Sequence, residues 1–203
     1  MSKITFINTM RILILFILTI IIFRQNIYSE EAQNFQFEKV SHLDNLPNNE
    51  ILSLYQDSDG FIWLATTGGL YQFDGYDLTE YRSNVYNFNL LTHNRITCLK
   101  EDEQKNLYIG TNEGLNILNK KTGHIIKSKH PQFSRNYIAS ITQTAEGEIW
   151  VGTNNGLYNY CLEKDSCHKI LDKTIKGMLV DSKQKHLGWA LWSEGLFQIS
   201  SER

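Results

Sequence analysis

One motif recurs four times in this chain, and it restricts the possible folds more than any other feature of the sequence. The first copy runs from Asn48 to Gly75 (NNEILSLYQDSDGFIWLATTGGLYQFDG), and the others span His93 to Asn119, Arg135 to Tyr160 and Lys173 to Ile199. A Gly-Leu pair marks each copy: Gly69-Leu70, Gly114-Leu115, Gly156-Leu157 and Gly195-Leu196. Successive glycines lie 45, 42 and 39 residues apart. Periods of this size, filled with short strands, indicate propeller blades and not a helical solenoid. The units show no helical periodicity, and their β-branched and aromatic runs are broken by turn residues.

Each copy has the same internal logic. An apolar strand comes first, as in Ile51-Leu54, Ile96-Leu99 and Ile138-Ile141. The apolar pairs are three apart, so a regular strand turns them to opposite faces, as burial between two neighbouring sheets requires. A polar turn follows, with Asp57 to Gly60 in the first copy and Ala145 to Gly147 in the third. Glycine there permits a positive φ, and aspartate can bond its own backbone. A second strand carries Trp63, Tyr108, Trp150 or Trp189, followed by the small residues Ala65, Gly110 and Gly152, which allow close backbone approach. A third strand begins at the Gly-Leu pair. Fourth strands follow the first three copies, at Leu78-Tyr81, His124-Lys127 and His168-Leu171. Phe35 to Val40 also reads as a strand, and it would pair with the fourth copy if the blades close into a ring. The sequence therefore predicts an all-β fold, a propeller of about four four-stranded antiparallel blades. Their bounds are about 46–83, 91–128, 133–171 and 173–200, within a propeller region covering 33–203. The fourth copy drifts: Lys173 replaces the asparagine seen at Asn49, Asn94 and Asn136, and Trp192 stands where Thr66, Thr111 and Thr153 stand.

The first 29 residues differ from the rest. Lys3 and Arg11 precede an apolar run from Ile12 to Phe23 interrupted only by Thr19. That run has the length of a signal-peptide core and falls short of a membrane span. Residues 1–29 read as a signal peptide ending near Ser29, with an uncleaved membrane anchor as the alternative; either places the remainder outside the cytoplasm. Loss of Lys3, Arg11 and Arg24 with this leader takes the formal charge from −2 to −5. A mildly acidic domain gives no basis for nucleic-acid binding. Export permits disulfides, and Cys161 and Cys167 flank a hairpin loop that a bridge could span. Cys98, in a strand-like run, reads as a small buried hydrophobe. Cys161, Cys167 and His168 lack a second ligand pair, so no metal and no other cofactor is expected.

The quoted residues resemble the two-component regulator propeller repeat. The match rests on Asp57-x-x-Gly60-x-Ile62-Trp63-Leu64-Ala65-Thr66-x-x-Gly69-Leu70 and on Gly147-Glu148-Ile149-Trp150-Val151-Gly152-Thr153-Asn154-Asn155-Gly156-Leu157. Phe35 to Asp77 is similar to the start of the periplasmic sensor region in Bacteroidetes-type hybrid two-component histidine kinases. The resemblance implies an extracytoplasmic ligand-sensing module that takes a glycan or another small molecule. In such proteins kinase, receiver and DNA-binding parts lie in further domains, and this chain resembles an N-terminal fragment, a truncated product or a short relative. The alternative is a stand-alone exported scaffold that presents its blades, or docks further blades, to a partner protein.

Candidate ligand contacts come from the loops entering the first strands. Tyr86, Asn87, His93, Arg95, Arg135 and Tyr137 could stack on or hydrogen-bond to a sugar, on loops carried by a rigid scaffold. Trp63 and Trp150 repeat with the fold and read as core; Asp57, Asp102 and Asp181 read as turn residues. The sequence has no nucleophile elbow, P-loop, zinc-protease motif or dinucleotide fingerprint, so an enzyme is not expected.

Overall fold

A computed structural model describes residues 10, 13–18, 36, 38, 46, 50–83, 90–180, 187–192 and 194–200. The chain divides into two units, Met1–Val40 and Ser41–Arg203. In the first, residues 13–18 are helical and exposed. No helix among the described residues is long and apolar enough to cross a membrane. The predicted cleavage point at Ser29 lies outside the described residues.

The second unit is a four-bladed antiparallel β-propeller. Its first sheet is formed by β1 (Ile51–Gln56), β2 (Ile62–Thr66), β3 (Leu70–Phe73) and β4 (Leu78–Tyr81), hydrogen-bonded in sequence order. The second contains β5 (Ile96–Glu101), β6 (Asn106–Thr111), β7 (Gly114–Asn119) and β8 (Ile125–Lys127). The third contains β9 (Ile138–Gln143), β10 (Ile149–Thr153), β11 (Gly156–Cys161) and β12 (Ser166–Leu171). The fourth contains β13 (Ile175–Val180), β14 (Leu187–Trp192) and β15 (Gly195–Ser200), with no fourth strand among the described residues. The expected closing strand, Phe35 to Val40, falls mostly outside those residues; Gln36 and Glu38, which are described, are exposed and not in a strand.

Three of the four strand turns at the Gly-Leu pair share one device. The buried hydroxyls of Thr66, Thr111 and Thr153 donate to the carbonyls of Gly69, Gly114 and Gly156 at 2.8, 2.9 and 3.1 Å. The same oxygens accept the N–H two residues on, from Gly68, Glu113 and Asn155. Each turn thus carries its own side-chain staple.

The blades are joined by apolar layers. Trp63, Ala65 and Leu70 of the first blade pack with Leu91, Ile96 and Leu99 of the second. Tyr108, Leu115 and Ile117 of the second pack with Phe133, Ile138, Ile141, Val151 and Tyr158 of the third. Leu157 of the third packs with Ile175 and Ala190 of the fourth, and Trp150 lies against them. Here the structure corrects the expectation for the first strands. Ile96 and Leu99 face the same layer, as do Ile138 and Ile141. A β-bulge explains it: pairing slips between Ile51 and Ser53, Ile96 and Cys98, Ile138 and Ser140, and Ile175 and Gly177. The extra residue returns positions three apart to one side of the strand.

The tryptophans also divide. Trp63 is fully buried, and its indole N–H donates to Asp57 Oδ2 at 2.8 Å. Trp150 is only half-buried, and its N–H reaches Glu148 at 3.3 Å. Thr144 stands at the position of Asp57 and offers no carboxylate. The expected Cys161–Cys167 bridge is absent, and all three cysteines are free. Cys161 pairs with Ser166 and Cys167 with Tyr160, so the two thiols leave opposite faces of the hairpin. Cys98 packs against the second layer, and desolvation pushes its thiol up to about 12.

Candidate functional site

Two groups of polar side chains merit comparison as sites. The first lies between the polar turns of the first two blades. Asp57 Oδ1 accepts the N–H groups of Asp59 and Phe61, each at 3.0 Å, which is the turn role expected for it. Asp102 does the same with Gln104 and Asn106, and Thr144 with Glu148. Glu101 accepts from the backbone N–H and the hydroxyl of Ser58 across the blade boundary, at 2.7 and 3.0 Å.

Carboxylate oxygens of Asp57, Asp59 and Glu101 all lie within 4.8 Å of one another, a spacing that could hold a metal ion. The buried ammonium of Lys120 already occupies that position, 2.7 Å from Asp57, 2.8 Å from Asp59 and 2.6 Å from Glu101. Lys105 adds a second ion pair to Asp59. Burial works against charge on Lys120 and on Asp57, but the hydrogen bonds between them outweigh it: the lysine is raised and the aspartate lowered. Hydrogen bonds from Lys105 and Lys120 hold Asp59 down at about 2. This group is an inter-blade clamp whose charges satisfy one another. Sequence reading assigned Asp57 to its turn but missed the clamp, because Lys120 lies 63 residues downstream with no spacing rule to connect them.

The second group lines a groove of about 740 Å³ beside the loop that enters the third blade. Its walls include Lys127, Lys129 and Arg135, the hydroxyl residues Thr92, Ser128 and Ser134, the carboxylate of Glu113, and Ile125 and Ile126. Lys127, Lys129 and Arg135 form no ion pair among the described residues. Arg135 adopts a left-handed backbone, φ 63°, uncommon for a residue with a side chain. The loop is held from below: Phe133 is buried against Tyr158 and Tyr160, and the side-chain amide of Asn136 donates to the Gln132 carbonyl at 2.8 Å. Ser128 and the Lys129 N–H both donate to Asp165 of the third blade, at 2.6 and 2.9 Å.

Of the six candidate contacts read from the sequence, Arg135 borders this groove. His93 is spent locally, its Nδ1 accepting the Arg95 N–H at 2.9 Å. The Arg95 carbonyl accepts from Asn112, tying the entry loop to the next turn. Tyr137 is exposed and does not line the groove. Tyr86 and Asn87 lie outside the described residues. Lys127 ends β8 and Lys129 follows it, eight and six residues before Arg135, and no spacing rule links them to that loop.

Cys167 Sγ lies 3.4 Å from His130 Nδ1, the only thiol–imidazole contact among the described residues. Burial first, and then Asp165, raise that thiol, so it does not present the thiolate a nucleophile needs.

Comparison with known proteins places this geometry. A family model described as "two component regulator propeller" matches residues 45–68, 90–113 and 132–155. Histidine kinase P4 of Formosa agariphila is 33% identical over 70 residues, covering 34% of this chain and 5% of that protein. Two extracellular domains of hybrid two component systems from B. thetaiotaomicron share the fold, each at 23% identity. One has a TM-score of 0.68 and covers 81% of this chain and 25% of its own. The other has a TM-score of 0.66 and covers 78% and 22%. A virginiamycin B lyase from Staphylococcus aureus is more distant, with a TM-score of 0.54 and 14% identity, covering 77% of this chain and 57% of its own. The chain therefore spans a small part of the histidine kinase and about a quarter of each extracellular domain.

Proposed function

We propose that this chain, whose first three blades carry two-component regulator propeller repeats, is the extracytoplasmic sensing module of a two-component-type signalling protein. Similarity to a histidine kinase and to extracellular domains of hybrid two component systems supports this reading. In it the chain catalyses nothing itself, and any kinase step resides in further domains. The ligand is a hydroxylated small molecule bearing negative charge, such as an acidic glycan fragment, held in the groove beside Arg135. The observation that carries the assignment is the lining: two ammonium groups and a guanidinium without ion-pair partners among the described residues, beside the hydroxyl of Ser134. A guanidinium fork suits a carboxylate or sulfate, and the neighbouring Ser134 hydroxyl suits a sugar.

Calorimetric titration with neutral and uronate-containing oligosaccharides tests it. Acidic members bind, and Arg135→Ala weakens them about tenfold or more while the unfolding midpoint stays in place. A panel with no binder, or binding indifferent to Arg135→Ala, overturns the assignment. A second reading is an exported scaffold that presents its blades to another protein; the exposed Leu54 and Leu196 of the terminal sheets favour it.

A further inference from the structure

The tight turn between the second and third strands of each blade has an equivalent second residue: Gly68, Glu113, Asn155 and Glu194. In the third and fourth blades that residue is matched by the loop entering its own blade. The Asn155 side-chain amide donates to Gln132 Oε1 at 3.1 Å, and Glu194 pairs with Lys173 at 3.3 Å. An amide meets an amide there, and a carboxylate meets an ammonium.

The second blade leaves its glutamate unmatched. Glu113 is exposed, and its carboxylate forms no ion pair or hydrogen bond among the described residues. The loop entering this blade offers Arg82, His93 and Arg95. Arg82 pairs with Glu80 at 2.7 Å, and neither His93 nor Arg95 pairs with Glu113. The turn itself is firmly placed. The Glu113 N–H donates to Thr111 Oγ1 at 3.1 Å, and that oxygen lies 3.0 Å from Thr92 Oγ1. Gly114 is pressed so closely against the next loop that a Cβ there would lie 3.2 Å from the Phe133 carbonyl oxygen. The residues beside this contact, Glu113 on one strand turn and Ser134 and Arg135 on the loop, all border the groove that Lys127 and Lys129 line.

We infer that Glu113 selects the ligand by taking a protonated amine, so that the groove fits an oligosaccharide with an amine beside its acid, such as a uronate linked to a free hexosamine. This rests on the reading of the groove as the ligand site. The pattern of charge argues for it. A ligand with acid groups alone would bring them toward a carboxylate that no cation of the protein neutralises, and like charges repel. A neutral hydroxyl would be served as well by an amide, which the third blade uses for its neutral partner. An ammonium on the ligand repeats what Lys173 does for Glu194, a charge-assisted hydrogen bond. Arg135 and the two lysines hold the acid, and Glu113 holds the amine.

Calorimetric titration of the full chain with a tetrasaccharide of alternating uronate and hexosamine tests the inference, its amines either free or N-acetylated. The free-amine form binds about tenfold tighter near neutral pH. Glu113→Gln weakens the free-amine form and strengthens the N-acetylated one, so the two affinities converge while the unfolding midpoint stays in place. The preference of the wild type fades as pH rises through the titration of the ligand's amine, and the variant lacks that pH dependence. Equal affinities in the wild type, or a Glu113→Gln protein that keeps the preference, overturn the role of Glu113; if Arg135→Ala then weakens both forms, the groove remains the ligand site. Binding of neither form overturns the inference together with the reading of the groove on which it rests.

Discussion

Lys120 contributes to stability through three carboxylates at once, and the consequence is a specific pH dependence. Asp57 and Asp59 have lowered carboxyls in the folded chain, so their contribution is complete above the ordinary carboxylate range. It is lost as pH falls through the folded values, about 2 for Asp59. Lys120 is raised, so its contribution is complete below the usual lysine value of 10.5 and is lost only as pH climbs past that value. Stability through this clamp is therefore flat from about pH 5 to pH 10. Lys120→Met leaves buried carboxylates facing one another, and destabilises the fold by about 3–5 kcal/mol near neutral pH. It also reverses the acid limb. Like charges raise the carboxyls of the variant, so its stability increases as pH falls toward 4, where wild-type stability begins to decline. Denaturant unfolding between pH 4 and pH 8 reads both slopes. The Lys105 backbone adds a smaller detail: it takes φ 66° where Gly60 and Gly147 take 92° and 85° in the equivalent turns. It occupies a glycine position and also reaches Asp59.

At the scale of strands and sheets, the blade boundaries depend on what is missing from Gly110 and Gly152. Gly110→Ala drives a methyl into the Cys98 sulfur and the Ile138 side chain and costs about 1–3 kcal/mol, seen as a lower denaturation midpoint with an unchanged m-value. The sequence shows these elements well, because the Trp-x-Ala/Gly-Thr and Gly-Leu spacing is a local pattern enforced by each turn. It does not show the bulge in β1, β5, β9 and β13. A bulge adds a residue without a signature of its own, and the alternation rule then assigns Ile96 and Leu99 to opposite faces when they share one. The same limit applies to Cys161 and Cys167. Their separation along the chain suits a bridge, but a one-residue offset in pairing turns them apart. Trp63 and Trp150 look alike in the motif, yet a carboxylate at position 57 and a threonine at 144 give their indoles different surroundings. The candidate loop residues were the least legible, since solvated loops obey no period; of the four that are described, Arg135 alone borders the groove.

At the scale of the whole propeller region, burial is deepest in the middle of the stack. Every residue of β6 is buried, whereas Leu54 of the first blade is 63% exposed against 7% for its counterpart Leu99. Local stability follows contacts of this kind, so amide exchange is slowest in β6 and β10 and fastest in β1, β4 and β15. Mass spectrometry of exchanged peptides shows the gradient, and equal protection in β15 and β6 contradicts it. The Lys120 clamp has a further consequence for assembly. A chain of near-identical modules risks joining a module to the wrong neighbour while it folds. The joint between the first two blades carries a charged key, and the following joint replaces it, with Leu162 where Lys120 stands. A misplaced blade would bury Asp57 and Glu101 without their cation, or a cation without its acids. The clamp thus works as an address that distinguishes one joint from the next and writes the order of the blades into their chemistry.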